Sequence, residues 1–392
     1  MQYSTFAAID IGSYDVILEI FEISKKQGIR SVDKICHRME LGKDTYTLGK
    51  IRPEMEEELC RVLADFVRIM EGYRVDDYRA TASSAISEAS NSLYVLGKIH
   101  QLTGLSVTVL SNSEQRFLSY KALAAMEDNF NKIIEKGTAI LDLDGGSFQI
   151  SLFDKDALVT TQNIRMGSLR IRERLAGIQS ETEHYEEMVE ELIWNEVSSF
   201  KKMYLKDRKI ENIMLIGDVF TDSVYQNIEE KTTKIISREN FNTWYEKIIR
   251  QSPMELAVKL GIPLENASLM YPSAVIYKCL IDMMGAEHIW IPGVHMTRGI
   301  AYEYAEQMKL LKGGHNFEND ILMAAKNIGK RYAVNRPHVQ NLEMTALAMF
   351  DATKKMHGMK ERERLLLQMA VMLHDVGKYI SFNNVADSSY NI

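Results

Sequence analysis

Residues 139–152 read AILDLDGGSFQISL: an apolar strand, an aspartate at its tip, a second aspartate, two glycines and a serine, then a strand again. Residues 6–21, FAAIDIGSYDVILEIF, have the same grammar. No other feature constrains the fold as tightly. Apolar or alternating runs joined by Gly-Ser turns are hairpins. A hairpin that opens each of two chain halves is a duplicated supersecondary plan rather than a short-period repeat.

The rest of the chain fits that plan. After the first hairpin come a strand near Val32–Met39 and a helix over Pro53–Glu71, where Met55, Leu59, Val62, Leu63, Phe66, Ile69 and Met70 fall at helical spacing. A short strand Tyr78–Thr81, the small-residue run ASSAISEASN, a strand Val107–Leu110 and a capped helix Ser113–Met126 complete the half. The second half repeats the hairpin at Gly137–Ile150. It continues through a helix near Glu183–Met203, a strand Ile213–Ile216 ending at Gly217, helices over Phe241–Leu260 and Tyr271–Met284, a strand Glu287–Pro292 and a helix from Thr297. From Asn316 the texture changes to amphipathic helices alone: Ile321–Tyr332, Gln340–His357 and Glu361–Val376. A chain of 392 residues exceeds one hydrophobic core. The expected fold class is therefore α/β, with domains at 1–125 and 126–310 around a cleft. An all-α domain at 316–392 follows the linker LKGGHNFEND at 311–320, and it ends abruptly at Asn391-Ile392.

The paired turns carry a chemical meaning. Glycine lets the backbone approach an anion closely, and successive N–H groups in such a turn form a concavity that binds one. Gly12, Ser13, Gly145, Gly146 and Ser147 are the expected phosphate cradle. An aspartate at a strand tip repels phosphate unless a divalent cation bridges the two, so Asp10 and Asp142 are read as ligands of Mg²⁺ or Mn²⁺, with Asp142 favoured. Either turn alone could be an ordinary hairpin bend. Two of them, one per half, favour a clamp on a phosphoryl group.

Composition narrows the partners. Lys and Arg total 47 against 54 Asp and Glu, so the net charge is −7 and no global basic field exists to hold nucleic acid. No apolar run approaches the ~18 residues of a membrane span. Cys36, Cys60 and Cys279 are scattered without metal-ligand spacing, and the N-terminus enters a strand with no leader-like segment, so a cytoplasmic protein is expected.

Several segments together resemble the exopolyphosphatase and guanosine pentaphosphate phosphohydrolase family, within the actin-like, sugar-kinase-like superfamily of paired ribonuclease-H-like domains. DIGSYDV (Asp10–Val16) is similar to the family's first phosphate loop, D-x-G-S-N-S, and DLDGGSF (Asp142–Phe148) to the second, D-I-G-G-G-S. ASSAISEASN resembles A-T-S-A-x-R-x-A-x-N, and LSNSEQRFLSY (Leu110–Tyr120) resembles S-G-x-E-E-A-R-L, the helix start that carries the catalytic glutamate. MGSLRIRERL (Met166–Leu175) is similar to G-x-V-R-L-T-E, and His338 with HDVGK (His374–Lys378) resembles an HD-type helical domain.

The resemblance covers essentially the whole chain. It implies a metal-dependent hydrolase that releases terminal phosphate from polyphosphate or a phosphorylated guanine nucleotide, with Glu114 as general base and Arg170 on phosphate. It admits a homodimer. His374-Asp375 with His338 has the look of a divalent-metal site, but the HD-type motif lacks its usual further aspartate, so the helical domain is read as non-catalytic or incomplete.

The sequence also departs from the family pattern. Tyr14 and Asp15 stand where asparagine and serine are usual, Ser87 where an arginine is, Asp144 where a glycine is, Gln115 and Gln149 where glutamates are. Gly217-Asp218-Val219 replaces a Gly-Gly-Thr turn. Asp15, Ser87 and Asp144 each make a polyanion site more negative. They motivate an alternative: a weakened relative that binds a phosphorylated ligand as a sensor.

Overall fold

A computed structural model describes residues 3–126, 130–155, 157–176, 185–205, 208–227, 234–311 and 315–392. Residues 183–184 at the start of the expected helix, and 312–314 of the expected linker, lie outside them. The chain divides into two compact units, one of residues 1–151 with 162–314 and one of residues 152–161 with 315–392.

The first unit holds the first sheet and most of the second. Strands β1 (Ser4–Ile11), β2 (Asp15–Ser24), β3 (Gly28–Arg38), β4 (Asp77–Ala82) and β5 (Val107–Val109) form a sheet ordered β3-β2-β1-β4-β5. β1 and β2 make the first hairpin, closing at the pair Ile11↔Val16, and β4 and β5 run parallel to β1. The strand β1 is buried on both faces, which is why it reads as a near-continuous apolar run. Ala7, Ile9 and Ile11 point to one core with Leu59, Leu63 and Phe66 of the helix Pro53–Tyr73. Phe6 and Ala8, one residue out of phase, point to the other, with Ile300, Ala301 and Tyr304. These last three belong to the helix Met296–Gln307, so a segment late in the chain returns to cover the first sheet.

The second sheet contains β6 (Thr138–Leu143), β7 (Phe148–Asp154), β8 (Ala157–Ile164), β9 (Asn212–Ile216), β10 (Ile235–Ser237) and β11 (His288–Trp290), ordered β10-β11-β9-β6-β7-β8. β9 is parallel to both β6 and β11. The acidic turn between β6 and β7 thus sits at the carboxyl end of a parallel pair, where open α/β sheets place their ligands. The helix Leu264–Met284 lies in this domain with its Tyr277 fully buried. The two mixed sheets with their helices agree with the expected α/β class.

In the second unit the helices Phe317–Arg331, Arg336–Ala352 and Glu361–Leu373 meet around Ala325, Val339 and Met372. The Asn327 amide donates to the carbonyls of Leu158 and Val159 at 3.3 and 3.2 Å, tying the strand segment of this unit to its first helix. Among the described residues, no helix is long and apolar enough to cross a membrane.

Candidate active site

The two hairpin turns meet. A Cβ on Gly145 would stand 3.0 Å from the Ser13 Cβ and 3.2 Å from the Tyr14 ring, so glycine lets the second turn rest closely on the first and a larger residue would push its neighbours back by a few tenths of an ångström. Each turn is closed by its own backbone: Gly12 N–H donates to Asp15 O, and Asp144 N–H to Ser147 O, both at 2.9 Å. Gly145 N–H donates to Asp144 Oδ1 at 2.6 Å. The amides of Gly12 and Gly145 are therefore spent inside the turns, which corrects the expectation that both face a ligand.

The space between the glycines holds side chains. Tyr46, on the helix Leu41–Leu48, places its hydroxyl 2.7 Å from Ser13 Oγ and 2.8 Å from Ser84 Oγ. A Cβ on Gly146 would fall 2.1 Å from that hydroxyl. Arg170 stacks on the Tyr46 ring at 3.9 Å, donates to Gly146 O at 2.8 Å and pairs with Glu88 at 2.9 Å. Arg170 thus braces the second turn, and it is not among the residues lining the nearby cavity. Ser87, in the arginine position, is exposed. Tyr46 was not anticipated; its short helix carries no motif, and only the fold brings it here.

Beside the joined turns lies a cavity of about 240 Å³, with Gly12, Ser147, Gln115 and Gln149 among its lining residues. Its charge is one-sided: Asp10, Asp15, Asp142, Asp144 and Asp222 against Lys34 and Arg38, with His295 also in the lining. Asp10 Oδ1 is buried without a hydrogen-bond partner. Burial, then Asp15, Asp144 and Asp142, push its carboxyl well above the usual range. Burial lifts Asp142 to about 6, although Ser119 Oγ donates to its Oδ2 at 2.6 Å, and lifts Asp144 to about 7. Asp15 is compensated by Arg38 at 2.7 Å, its direct partner across β2 and β3. Its charge is therefore less exposed to a ligand than the sequence implies. Tyr14 reaches from the first turn towards the second domain, its hydroxyl 3.4 Å from Gly217 O.

Glu114 is not brought to the cavity. It lies exposed in the first turn of the helix Asn112–Met126, where its carboxylate accepts from Ser111 N and Oγ, both at 2.8 Å. This is a capping box, and Ser-x-x-Glu in the sequence is its signature. The next residue, Gln115, is buried and does line the cavity. Gln149 accepts from Arg116 Nε at 2.8 Å. In the second unit, the ligand atoms of His338, His374 and Asp375 all lie within 4.8 Å of one another, closer together than their reading as an incomplete motif implied. Lys378 pairs with Asp375 there at 2.7 Å.

The cavity offers carboxylate oxygens, one of them unpartnered, of the kind that suit a hard divalent cation, whereas among the described residues only His338, His374 and Asp375 bring three ligand atoms within 4.8 Å of one another. Two acid-tipped turns that meet between two mixed sheets define an α/β protein with an acidic cavity beside the turns. The comparisons with known proteins are more specific. The model of the Ppx/GppA phosphatase family matches residues 20–308, and that of Ppx/GppA phosphatase domain III matches 322–392. The chain belongs to the Ppx/GppA phosphatase family.

Its relatives include a bifunctional 3-dehydroquinate synthase/phosphatase of Fusobacterium nucleatum, 21% identical over 310 residues; the match covers 72% of this chain and 44% of that protein. The guanosine-5′-triphosphate,3′-diphosphate pyrophosphatase of Vibrio atlanticus is 19% identical over 98% of this chain and 75% of its own. Among solved structures, an exopolyphosphatase of Cytophaga hutchinsonii matches with a TM-score of 0.70 at 17% identity, over 78% of this chain and 98% of that one. An Aquifex aeolicus Ppx/GppA member gives a TM-score of 0.64 at 17% identity, over 78% and 99%. These two agree with the paired α/β fold.

Proposed function

We propose that this chain is a phosphohydrolase that releases terminal phosphate from inorganic polyphosphate or guanosine pentaphosphate, in a cavity that accepts the anion together with Mg²⁺ or Mn²⁺. The observation that carries this reading is the set of five aspartates around one cavity, with Asp10 Oδ1 unpartnered. Two like charges at about 4 Å repel by about 1 to 4 kcal/mol, depending on the surrounding dielectric. Each of these carboxyls that is ionised adds such a term against a bare polyphosphate, and a bound cation would offset it. The names of the Vibrio and Cytophaga relatives supply the substrate class.

Asp10 and Asp142 would hold the cation, with Asp144 beside them; when bound, it neutralises the carboxylates and polarises a phosphoryl oxygen. Ser119 fixes Asp142 through its 2.6 Å hydrogen bond. Gly12 and Ser147 line the wall that faces the phosphoryl group. Gln115 can orient a water by its amide but cannot take its proton. The three scattered cysteines fit a cytoplasmic setting.

One observation favours a second reading, binding without turnover: Gln115 stands in the cavity while the carboxylate of Glu114 caps its helix. Phosphate release from polyphosphate and from guanosine pentaphosphate, with Mg²⁺, separates the two. Turnover that Asp142→Asn abolishes supports the hydrolase. Binding of either compound with no phosphate released above the Asp142→Asn background supports the sensor.

A further inference from the structure

Two late segments also line the cavity: Asp222 and Gln226 from one, Val294, His295 and Met296 from the other. The helix Val219–Asn227 presents Asp222 and, one turn on, Tyr225. Gly293, at φ +64°, lies against the Tyr225 ring, and a Cβ there would come within 2.8 Å of it. That close approach lays the loop before the helix Met296–Gln307 onto the face that carries Asp222. His295, immediately before that helix, is brought with Nε2 3.5 Å from Asp222 Oδ1. Both residues line the same cavity as Gln115 and the metal-side aspartates.

We propose that His295, oriented by Asp222, is the proton acceptor for the attacking water, the role expected of Glu114 from the sequence. The inference rests on the hydrolase reading above. The carboxylate favours protonation at Nε2, which leaves the lone pair on Nδ1. In the step, the water oxygen forms a bond to the terminal phosphorus as the bridging P–O bond breaks. The electron pair of that bond leaves with the shortened chain, one water proton passes to the imidazole and then to solvent, and inorganic phosphate departs. The charged groups around the ring are Asp222, Glu19 and Asp15, which favour the imidazolium, and Lys34, which opposes it. Burial outweighs them and keeps the ring's pKa below the usual histidine value, so it is neutral and basic at pH 7. Asp222 acts through His295 and is a positioning residue.

The test is phosphate release from polyphosphate with Mg²⁺ across pH 5–9 on the full chain, with polyphosphate binding measured in parallel. His295→Gln is expected to lower kcat at least ~100-fold, the usual worth of a positioned base, with binding within a few-fold of the parent. The parent rate should fall on the acid side with the imidazole's ionisation. Asp222→Asn, by removing a charge that favours the imidazolium, should move that inflection to lower pH. A merely structural ion pair would lower stability without moving the inflection. If His295→Gln misfolds, the inflection in Asp222→Asn decides alone. An active parent whose kcat and pH profile survive His295→Gln, or whose inflection ignores Asp222→Asn, overturns the inference and leaves the hydrolase reading standing. A parent that binds polyphosphate and releases no phosphate overturns both.

Discussion

The Tyr46 hydroxyl occupies the position where a side chain on Gly146 would have to go, 2.1 Å from the Cβ it would carry. The second turn therefore closes over a phenol as well as over the first turn. Gly146→Ala is expected to cost about 1–3 kcal/mol by overpacking. Because Ser84 Oγ would also lie 2.5 Å from the new Cβ, Tyr46→Ala in the same chain should recover only part of that loss. A double-mutant cycle by urea unfolding measures the coupling, expected at about 0.5–3 kcal/mol. Additive losses would mean that the two residues do not share this space.

Arg170 is the brace of the same turn, through one carbonyl, one carboxylate and one ring. A lysine offers a point charge without the planar fork or the stack. Arg170→Lys should lose about 1–2 kcal/mol, most of the loss of Arg170→Ala, since separate hydrogen-bond and cation–π contributions of this size both lapse. Thermal unfolding of the two variants checks this.

Much of this architecture was legible before any coordinates. Both hairpins declare themselves because a buried central strand needs an unbroken apolar run and a two-sided core, and Gly-Ser marks where the chain must bend. The helix Pro53–Tyr73 is equally plain, since one apolar stripe faces one core. The convergence of the turns was also legible as a consequence of duplication. Their interior was not. Tyr46 reaches them from a helix of eight residues with no motif, and the Asp15–Arg38 pair depends on a β2–β3 register that includes an irregularity at Ile20/Phe21. Glu114 was open to a different reading: Ser111 three residues earlier spelled a capping box, while the inward placement of Gln115 was not marked by any motif.

The Asp15–Arg38 pair makes its own prediction. Arg38→Ala leaves a nearly buried carboxylate without its cation. Since the arginine is one-third exposed, water takes up part of the charge, and the expected loss is about 1–3 kcal/mol, below that of a fully buried pair. Adding Asp15→Asn should restore most of it. Urea midpoints of the single and double variants decide.

Buried Asp218 gives a pH dependence with a definite sign. Burial lifts its carboxyl to about 7, although Thr221 N–H and the Tyr277 hydroxyl donate to Oδ1 at 3.1 and 3.2 Å. Between its ordinary pKa near 4 and that raised value, the folded chain keeps a proton that the unfolded chain has lost. Stability therefore falls as pH rises through that window. Asp10, Asp142 and Asp144 are raised as well and slope the same way. Asp218→Asn should flatten the decline in Tm from pH 5 to pH 8 by roughly a few degrees without abolishing it. An unchanged slope would mean that Asp218 titrates as an ordinary carboxyl.

The most direct test of the whole account is calorimetric binding of polyphosphate, with Mg²⁺ and with EDTA, to the parent chain and to Asp10→Asn. The acidic cavity predicts binding that needs the cation, weakens at least ~10-fold in EDTA, the equivalent of about 1.4 kcal/mol, and is lost in the same measure in Asp10→Asn. Equal affinity with and without Mg²⁺, or an Asp10→Asn variant that binds as the parent does, would contradict it.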